Sequence, residues 1–422
     1  MVIYIDIDSI RFIEGHARLK LYFKDGRPVA EFCITEGSRF IPKVLEKRFP
    51  EEAPVITSRI CGVCHTAHAL ASVKAIESAI GIKVDSLVEK ARTYILLLNY
   101  LQSHLLHLAY MTFPTITNVY SIFRIKDKSV LEIGSRLAIS ASKVFEKLGG
   151  RAVHVPLFAA GGFSYPISGR RLAKVLKENF ERKLKESVLF AEKILNLGVP
   201  EFERHRALGA IKMHREYTPC EADPKIATTL GEIMSKEEYY SRLKPVFREY
   251  STSQHVLFDG EELTVGALSR IIINKRLLSP EAKELAERIE WKPDPFLIVK
   301  AQAIEVVDTV AKLEYAPEEL RDLEIEPIEP PRVEEARGVG VVEAPRGLLA
   351  HYCEIRNYRI YKYVIIVPTA VNSRSIERDS EILTLRSIHL GSEKLKIVLE
   401  DLVRAYDPCT SCAVSLDHTV KT

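Results

Sequence analysis

The chain has 422 residues, of which 46% are hydrophobic, so a large core is available and disorder is not expected. Lys and Arg total 60 against 57 Asp and Glu, a formal net charge of +3. With no basic stripe, nucleic acid is excluded as the main partner, and with no run of 18 or more apolar residues no direct membrane span is expected.

In chain order, the opening MVIYIDIDSI starts with strand-like alternation and has no basic leader segment, so a cytoplasmic location is expected. RLKLYF and PVAEFCI, joined through Lys24-Asp25-Gly26-Arg27, read as a β-hairpin. Over residues 84–110 the apolar positions Leu87, Ala91, Tyr94, Leu97, Leu98, Leu101 and Leu105 recur at helical spacing and predict a long buried helix. Two further helices are predicted over 129–148 and 169–197, the second with a strongly charged face. The stretch 317–335, PEELRDLEIEPIEPPRVEE, is acidic and Pro-rich and reads as an exposed linker. Strands return at GVGVVEA and YKYVIIV, and a last helix over 393–404 leads to the C-terminal end. The expected class is α+β, a central bundle of long helices flanked by small β-sheets. Its regions are an N-terminal β region over 1–45, a helical core over 84–315, the linker, and a C-terminal β region with the metal-binding end over 338–422. High charge (28%), three Gln and four Met suit a thermophile.

The seven cysteines do not read as a disulfide framework in a cytoplasmic chain. Cys33, Cys220 and Cys353 stand alone and read as small buried hydrophobes. The other four form the pairs Cys61-Gly-Val-Cys64 and Cys409-Thr-Ser-Cys412. The first pair opens a predicted helix, whose N-terminus lowers thiol pKa values while the spacing lets two thiolates converge on one ion. His68, four residues after Cys64, falls on the same helix face within reach of a thiolate. The pairs stand near opposite ends of the chain. If they share one centre, the chain ends meet there and residues 1–422 form one intertwined body, although length alone suggests two or three domains. Two CxxC pairs are a common structural zinc pattern. Zinc ribbons, however, space their pairs tens of residues apart in weakly cored modules, and four soft thiolates also suit redox-active metals.

RICGVCHTAH and DPCTSC resemble the signature motifs of nickel–iron hydrogenase large subunits, and the RAYDPC context looks most like the cytoplasmic heteromeric and archaeal sulfhydrogenase types. The resemblance continues through IEGH (Ile13 to His16), QSHLLHL (Gln102 to Leu108), GGRAVH (Gly149 to His154), VGALSR (Val265 to Arg270), EAPRG (Glu343 to Gly347) and VPTAVN (Val367 to Asn372), so it covers the whole chain. It implies a hydrogenase that reversibly cleaves and forms H2 at a buried nickel–iron centre. By the same resemblance Cys61 and Cys409 are terminal nickel ligands, Cys64 and Cys412 bridge nickel and iron, and the iron carries carbon monoxide and two cyanides. Cys409 or Arg346 takes up the proton and Glu14 passes it outward. Arg346 faces one cyanide and Thr369 donates its hydroxyl to the other. Read without the resemblance, Arg346 is a surface or interface cation, Thr369 a strand threonine and Glu14 a solvated turn residue beside Gly15. His104, His107 and His154 read as structural.

Four positions depart from the family pattern. Phe12 precedes the IEGH motif where Arg is usual, and Thr115 stands where an Asp commonly follows the SHxLH helix. Pro42, after Arg39-Phe40-Ile41, and Ser415, past the last Cys, replace the Glu and His of the family's third site, which holds magnesium or iron. That site is expected to be absent or rebuilt from groups such as Glu46 and His418. No spare cysteines remain for an iron–sulfur cluster and no GxGxxG is present. A small iron–sulfur subunit is therefore expected as partner, with flavin, NAD(P) or deazaflavin chemistry on further electron-transfer subunits. Two other readings are a quinone-site subunit of the respiratory complex I type, whose lineage has lost the thiolates, and a zinc-stabilised scaffold. Metal content separates the three: nickel with iron, none, or zinc.

Overall fold

A computed structural model describes residues 4–414, so Ser415 and His418 lie outside the described residues. Alternate burial along β2 (Ala17–Lys24) and β3 (Arg27–Ile34) puts Leu19, Leu21 and Phe32 inside, and β1 (Tyr4–Ile7) adds to the free edge of β2. The expected hairpin turn is made by Asp25 and Gly26, both with positive φ (50° and 76°), as a two-residue turn between twisted strands requires.

Six long helices follow. They are α1 (His65–Ile80), α2 (Ser86–Leu105), α3 (Ser129–Gly149), α4 (Gly169–Phe180), α5 (Leu184–Leu195) and α6 (Leu297–Leu320). The Asp85 carboxylate caps α2 by accepting from Leu87 N at 2.7 Å. A π turn, Leu106–Thr112, then widens the helix and lets His107 reach Gln302 Oε1 (2.5 Å) and the Arg404 carbonyl (2.9 Å). Helix α6 is buried on nearly every side from Leu297 to Ala311, and α2, α4 and α5 pack around it.

Two expectations about this region need correction. Residues 169–197 are not one helix, because Arg182 takes a left-handed φ of 64° and breaks the chain between α4 and α5, which lets both lie against α6. The linker does not begin at 317 either. Pro317 sits in the last turn of α6, where it forfeits a single hydrogen bond, and the helix runs on to Leu320. Leu320, Leu323 and Ile325 are buried, and Glu324–Ile325 pairs with Ile167–Ser168.

The C-terminal sheet has the order β4 (Glu335–Ala344), β5 (Gly347–Arg356), β6 (Arg359–Ile366), all antiparallel, followed by α7 (Pro368–Ser387) and α8 (Ser392–Ala405). Helix α1 lies directly across β4. A Cβ at Gly340 would stand 2.2 Å from the Ala71 carbonyl oxygen, and one at Gly338 would stand 2.2 Å from Ala79 N. Only glycine admits the helix that closely. The α+β class is as expected, and one hydrophobic core runs from Ile5 to Val414, with the four paired cysteines inside it.

Because the obstacle at Gly340 is backbone, Gly340→Val should push α1 off the sheet and destabilise the protein by about 3 kcal/mol, the upper end for overpacking a core. Denaturant unfolding of parent and variant measures this. An unchanged midpoint would mean that α1 does not depend on the contact.

Candidate metal centre

Each cysteine pair is set by the element beside it. Cys61 follows the 3-10 turn Ser58–Ile60, and Cys64 is the N-cap of α1. At the other end α8 stops at Ala405, and Tyr406 anchors the exit: its hydroxyl donates to Asp379 Oδ2 at 2.6 Å and accepts from Arg206 at 2.7 Å. Asp407, at φ 50°, then turns the chain into Pro408 and Cys409. Glu14 and Cys409 form a parallel β-bridge, with Thr410 N donating to the Glu14 carbonyl at 3.2 Å. Gly15 makes this meeting possible, since a Cβ there would overlap Thr410 Oγ1 at 1.9 Å.

The four sulfurs lie within 4.8 Å of one another, the only such group of potential metal ligands among the described residues. Cys64 Sγ is 3.0 Å from Cys412 Sγ, Cys61 Sγ is 3.3 Å from Cys409 Sγ, and Cys409 Sγ is 2.7 Å from Cys412 Sγ. All four residues are buried. Hydrogen bonds from Cys409 and the other thiols hold the Cys61 pKa well below the ordinary value, while burial pushes Cys409 and Cys412 well above it. Thiolate ligands must lose their protons to bind metal, so loading this site is coupled to proton release. The donor set is purely sulfur, soft and buried, and spans a space that metal–sulfur bonds of about 2.3 Å can bridge. It fits nickel and iron.

One fixed cation faces the sulfurs. Arg346, 5% exposed, donates from Nε to the Asp407 carbonyl (2.6 Å), from one terminal nitrogen to Asp407 Oδ1 (2.7 Å) and from the other to Ser103 Oγ (3.1 Å). Burial opposes its charge, but the Asp407 carboxylate and the Cys409 sulfur raise its pKa well above the usual arginine value, so it stays ionised. Its loop is held from behind by the fully buried Arg270. That guanidinium bonds Glu305 (2.6 and 2.8 Å), Glu343 (2.9 Å) and the carbonyls of Ala344 (3.0 Å) and Pro345 (2.8 Å), the two residues before Arg346.

Glu14 is half-buried, and its carboxylate accepts from Ser411 Oγ and, at 3.3 Å, from Ser411 N. Burial and then the Cys61 thiolate raise its pKa. Thr369 Oγ1 accepts from Cys409 N at 2.9 Å, which leaves its own hydrogen for a further acceptor. His68, fully buried, meets His351 Nε2 through Nδ1 at 3.1 Å. Of the histidines read as structural, His104 bonds Glu305 (2.8 Å) and His154 bonds the Ser58 carbonyl (2.6 Å). Glu46 is paired with Lys43 at 2.6 Å, and the Val414 carbonyl accepts from Arg39 N at 2.9 Å.

Sequence reasoning assigned no role to Asp407, Glu36, Arg270 or His351. Asp407 stands inside the DPCTSC motif, where its type and position could have suggested a partner for Arg346. Glu36 accepts from Thr410 Oγ1 and His16 N, both at 2.8 Å, just beyond Glu14, and no local pattern marks it.

Comparison with known proteins agrees with this geometry. A family profile described as nickel-dependent hydrogenase matches residues 39–149 and 212–415, which include both cysteine pairs. The chain is similar to the alpha subunit of sulfhydrogenase 1 of Pyrococcus furiosus, with 30% identity over 99% of this chain and 98% of that one. It is also similar to the alpha subunit of coenzyme F420 hydrogenase of Methanothermobacter thermautotrophicus, with 27% identity over 95% of this chain and 92% of that one. Its fold matches that of an NAD+-reducing NiFe hydrogenase solved in the H2-reduced state, with a TM-score of 0.81, 22% identity, and coverage of 98% of this chain and 99% of that one.

A hydroxyl cannot replace a soft thiolate shared between two metals. Cys412→Ser should therefore lose nickel and iron together while folding is retained, as read by elemental analysis and circular dichroism. Near-parent metal content would rule Cys412 out as a shared ligand.

Proposed function

This chain belongs to the nickel-dependent hydrogenase family, and from that premise we propose that it reversibly splits and forms H2 at a nickel–iron centre and delivers the electrons to a small iron–sulfur subunit. The observation that carries the reading is the convergence of four buried thiols, from the two ends of the chain, on one buried guanidinium. Cys61 and Cys409 would hold nickel, and Cys64 and Cys412 would hold nickel together with iron. When bound, the metal pair, its iron carrying carbon monoxide and two cyanides, supplies heterolytic cleavage of H2.

The chain's own residues handle charge and protons. Cys409 receives the proton, since the Asp407 contact keeps Arg346 ionised and unfit as a base. Arg346 would instead offer a positive charge and N–H groups to one cyanide, and the free hydrogen of Thr369 would serve the other. His68 donates to a thiolate. Glu14, hydrogen-bonded to Ser411 beside Cys412, takes the proton from Cys409 and moves it outward. No third metal is assigned, because Pro42 offers no side-chain donor and Glu46 is paired with Lys43.

Residues 1–422 act as one body. The relatives are subunits of larger enzymes, and their names differ in the electron acceptor. This supports placing flavin, NAD(P) or deazaflavin chemistry on further subunits. No helix among the described residues is long and apolar enough to cross a membrane, and the proposed location is cytoplasmic.

Glu14→Gln tests the proton route, because the amide keeps size and hydrogen bonding but cannot ionise. Metal content should be unchanged, and both turnover and hydrogen–deuterium exchange with solvent should fall by about two orders of magnitude or more, the scale of a lost acid–base group. Conversion of para- to ortho-hydrogen should persist, since it needs no proton release. Parent-level solvent exchange would return Glu14 to the role of a turn residue.

A further inference from the structure

The carboxylate that holds Arg346 is itself held from its other side. Asp407 offers Oδ1 and its carbonyl to the guanidinium, and its Oδ2 accepts from Gln302 Nε2 at 2.9 Å. Gln302 lies on α6, and its Oε1 is 2.5 Å from His107 Nδ1. The far edge of that ring is fixed as well, since Nε2 lies 2.9 Å from the Arg404 carbonyl and 3.1 Å from the Thr112 hydroxyl. Asp407, Gln302 and His107 are 2%, 1% and 1% exposed.

The donor and acceptor roles along this line are set from the Asp407 end. A carboxylate paired with a guanidinium only accepts, so the Gln302 amide must turn its nitrogen toward Oδ2. Reversing the amide would set two acceptor oxygens 2.9 Å apart in the core. With the nitrogen so committed, Oε1 faces His107, and Nδ1 supplies the hydrogen. Donation therefore runs from His107 to Gln302 to Asp407, whichever way the Nε2 edge is protonated.

Helix α6 thereby supports Arg346 twice. Glu305, three residues after Gln302 and so on the same face, binds Arg270, which holds the carbonyls of Ala344 and Pro345. Gln302 reaches the same guanidinium from the turn before Cys409, through its counter-ion. One helix fixes both the loop that carries the charge and the carboxylate that balances it.

We infer that Gln302, braced by His107, is a positioning residue that sets the direction of the Arg346 guanidinium at the metal centre through the Asp407 carboxylate. The inference deepens the nickel–iron reading and rests on it. Without a donor at Oδ2 the carboxylate can rotate about its Cβ–Cγ bond and carry Oδ1 off the guanidinium. The charge would remain, but its N–H groups would lose their direction. Such a displacement costs rate far more than it costs folding.

The test uses the purified holoenzyme with Gln302→Met, Asp407→Asn and the double exchange of Gln302→Glu with Asp407→Asn. Metal content, turnover and infrared bands are read for each. Methionine fills the space of the amide but cannot donate. Gln302→Met should keep nickel and iron, lower turnover by about ten- to a hundredfold and shift a cyanide band. The exchange swaps donor and acceptor at equal net charge, because an amide at 407 can donate to a carboxylate at 302 that also accepts from His107. It should recover most of the turnover that Asp407→Asn alone loses. Parent turnover with parent bands in Gln302→Met overturns the inference. So does an exchange no better than Asp407→Asn, which decides the matter if Gln302→Met fails to load metal. Absence of the bands from a metal-loaded parent is a different result, which removes the nickel–iron reading. The link from Gln302 to Asp407 then stands or falls on whether the exchange recovers the denaturation midpoint lost in Asp407→Asn.

Discussion

Four thiols packed within 4.8 Å, all buried, cannot ionise together in an empty protein. Burial penalises each charge, and each thiolate formed raises the cost of the next. The opposed shifts, with hydrogen bonds lowering the Cys61 pKa and burial raising those of Cys409 and Cys412, express that conflict. A cation resolves it, and the surrounding charges are arranged around its presence. Arg346 supplies a fixed positive charge and Asp407 balances it, so the guanidinium is held in place by a carboxylate two residues from Cys409. Removing either partner would strand the other as an unpaired buried charge, an effect of several kcal/mol in proteins generally.

The fold can be understood as the scaffold for that meeting. The two cysteine pairs are remote in sequence, so each must be delivered by an element that is rigid and located by its neighbours. Helix α1 brings Cys64 because glycines 338 and 340 let it lie directly on β4. The EAPRG turn that joins β4 to β5 brings Arg346 to the same place, with Arg270 and Glu305 behind it. On the other side α8 ends at Ala405, Tyr406 is locked by Asp379 and Arg206, and the final turn docks on Glu14. The strand segment that seats Cys409 also carries the Glu14 carboxylate, which accepts from Ser411 Oγ.

Much of this was legible in the sequence because the strongest signals are local. Two CxxC pairs, a hairpin through Asp-Gly and the apolar spacing of α2 depend on neighbours a few residues away, and they appear where expected. The errors came where a long-range contact overrules a local pattern. Residues 169–197 keep helical spacing across Arg182, but packing both halves on α6 requires a left-handed break that no residue type announces. Pro317 looked like a terminator, yet near a helix end its missing N–H matters little. Motifs marked Cys61, Cys64, Cys409 and Cys412, which do cluster, and also Arg346, Thr369, Glu14 and His68, whereas nothing local marked Glu36, Arg270 and His351. Those three act through side chains distant in sequence, and a lone Glu, Arg or His carries no sign of its partner.

The most direct measurement is an infrared spectrum of the purified protein together with its metal content. Carbon monoxide and cyanide stretches fall where protein is silent. A nickel–iron centre on these four cysteines predicts nickel and iron in equal amounts, with one carbon monoxide band and two cyanide bands. Zinc in place of both metals, or a nickel- and iron-loaded sample with none of those bands, would contradict it.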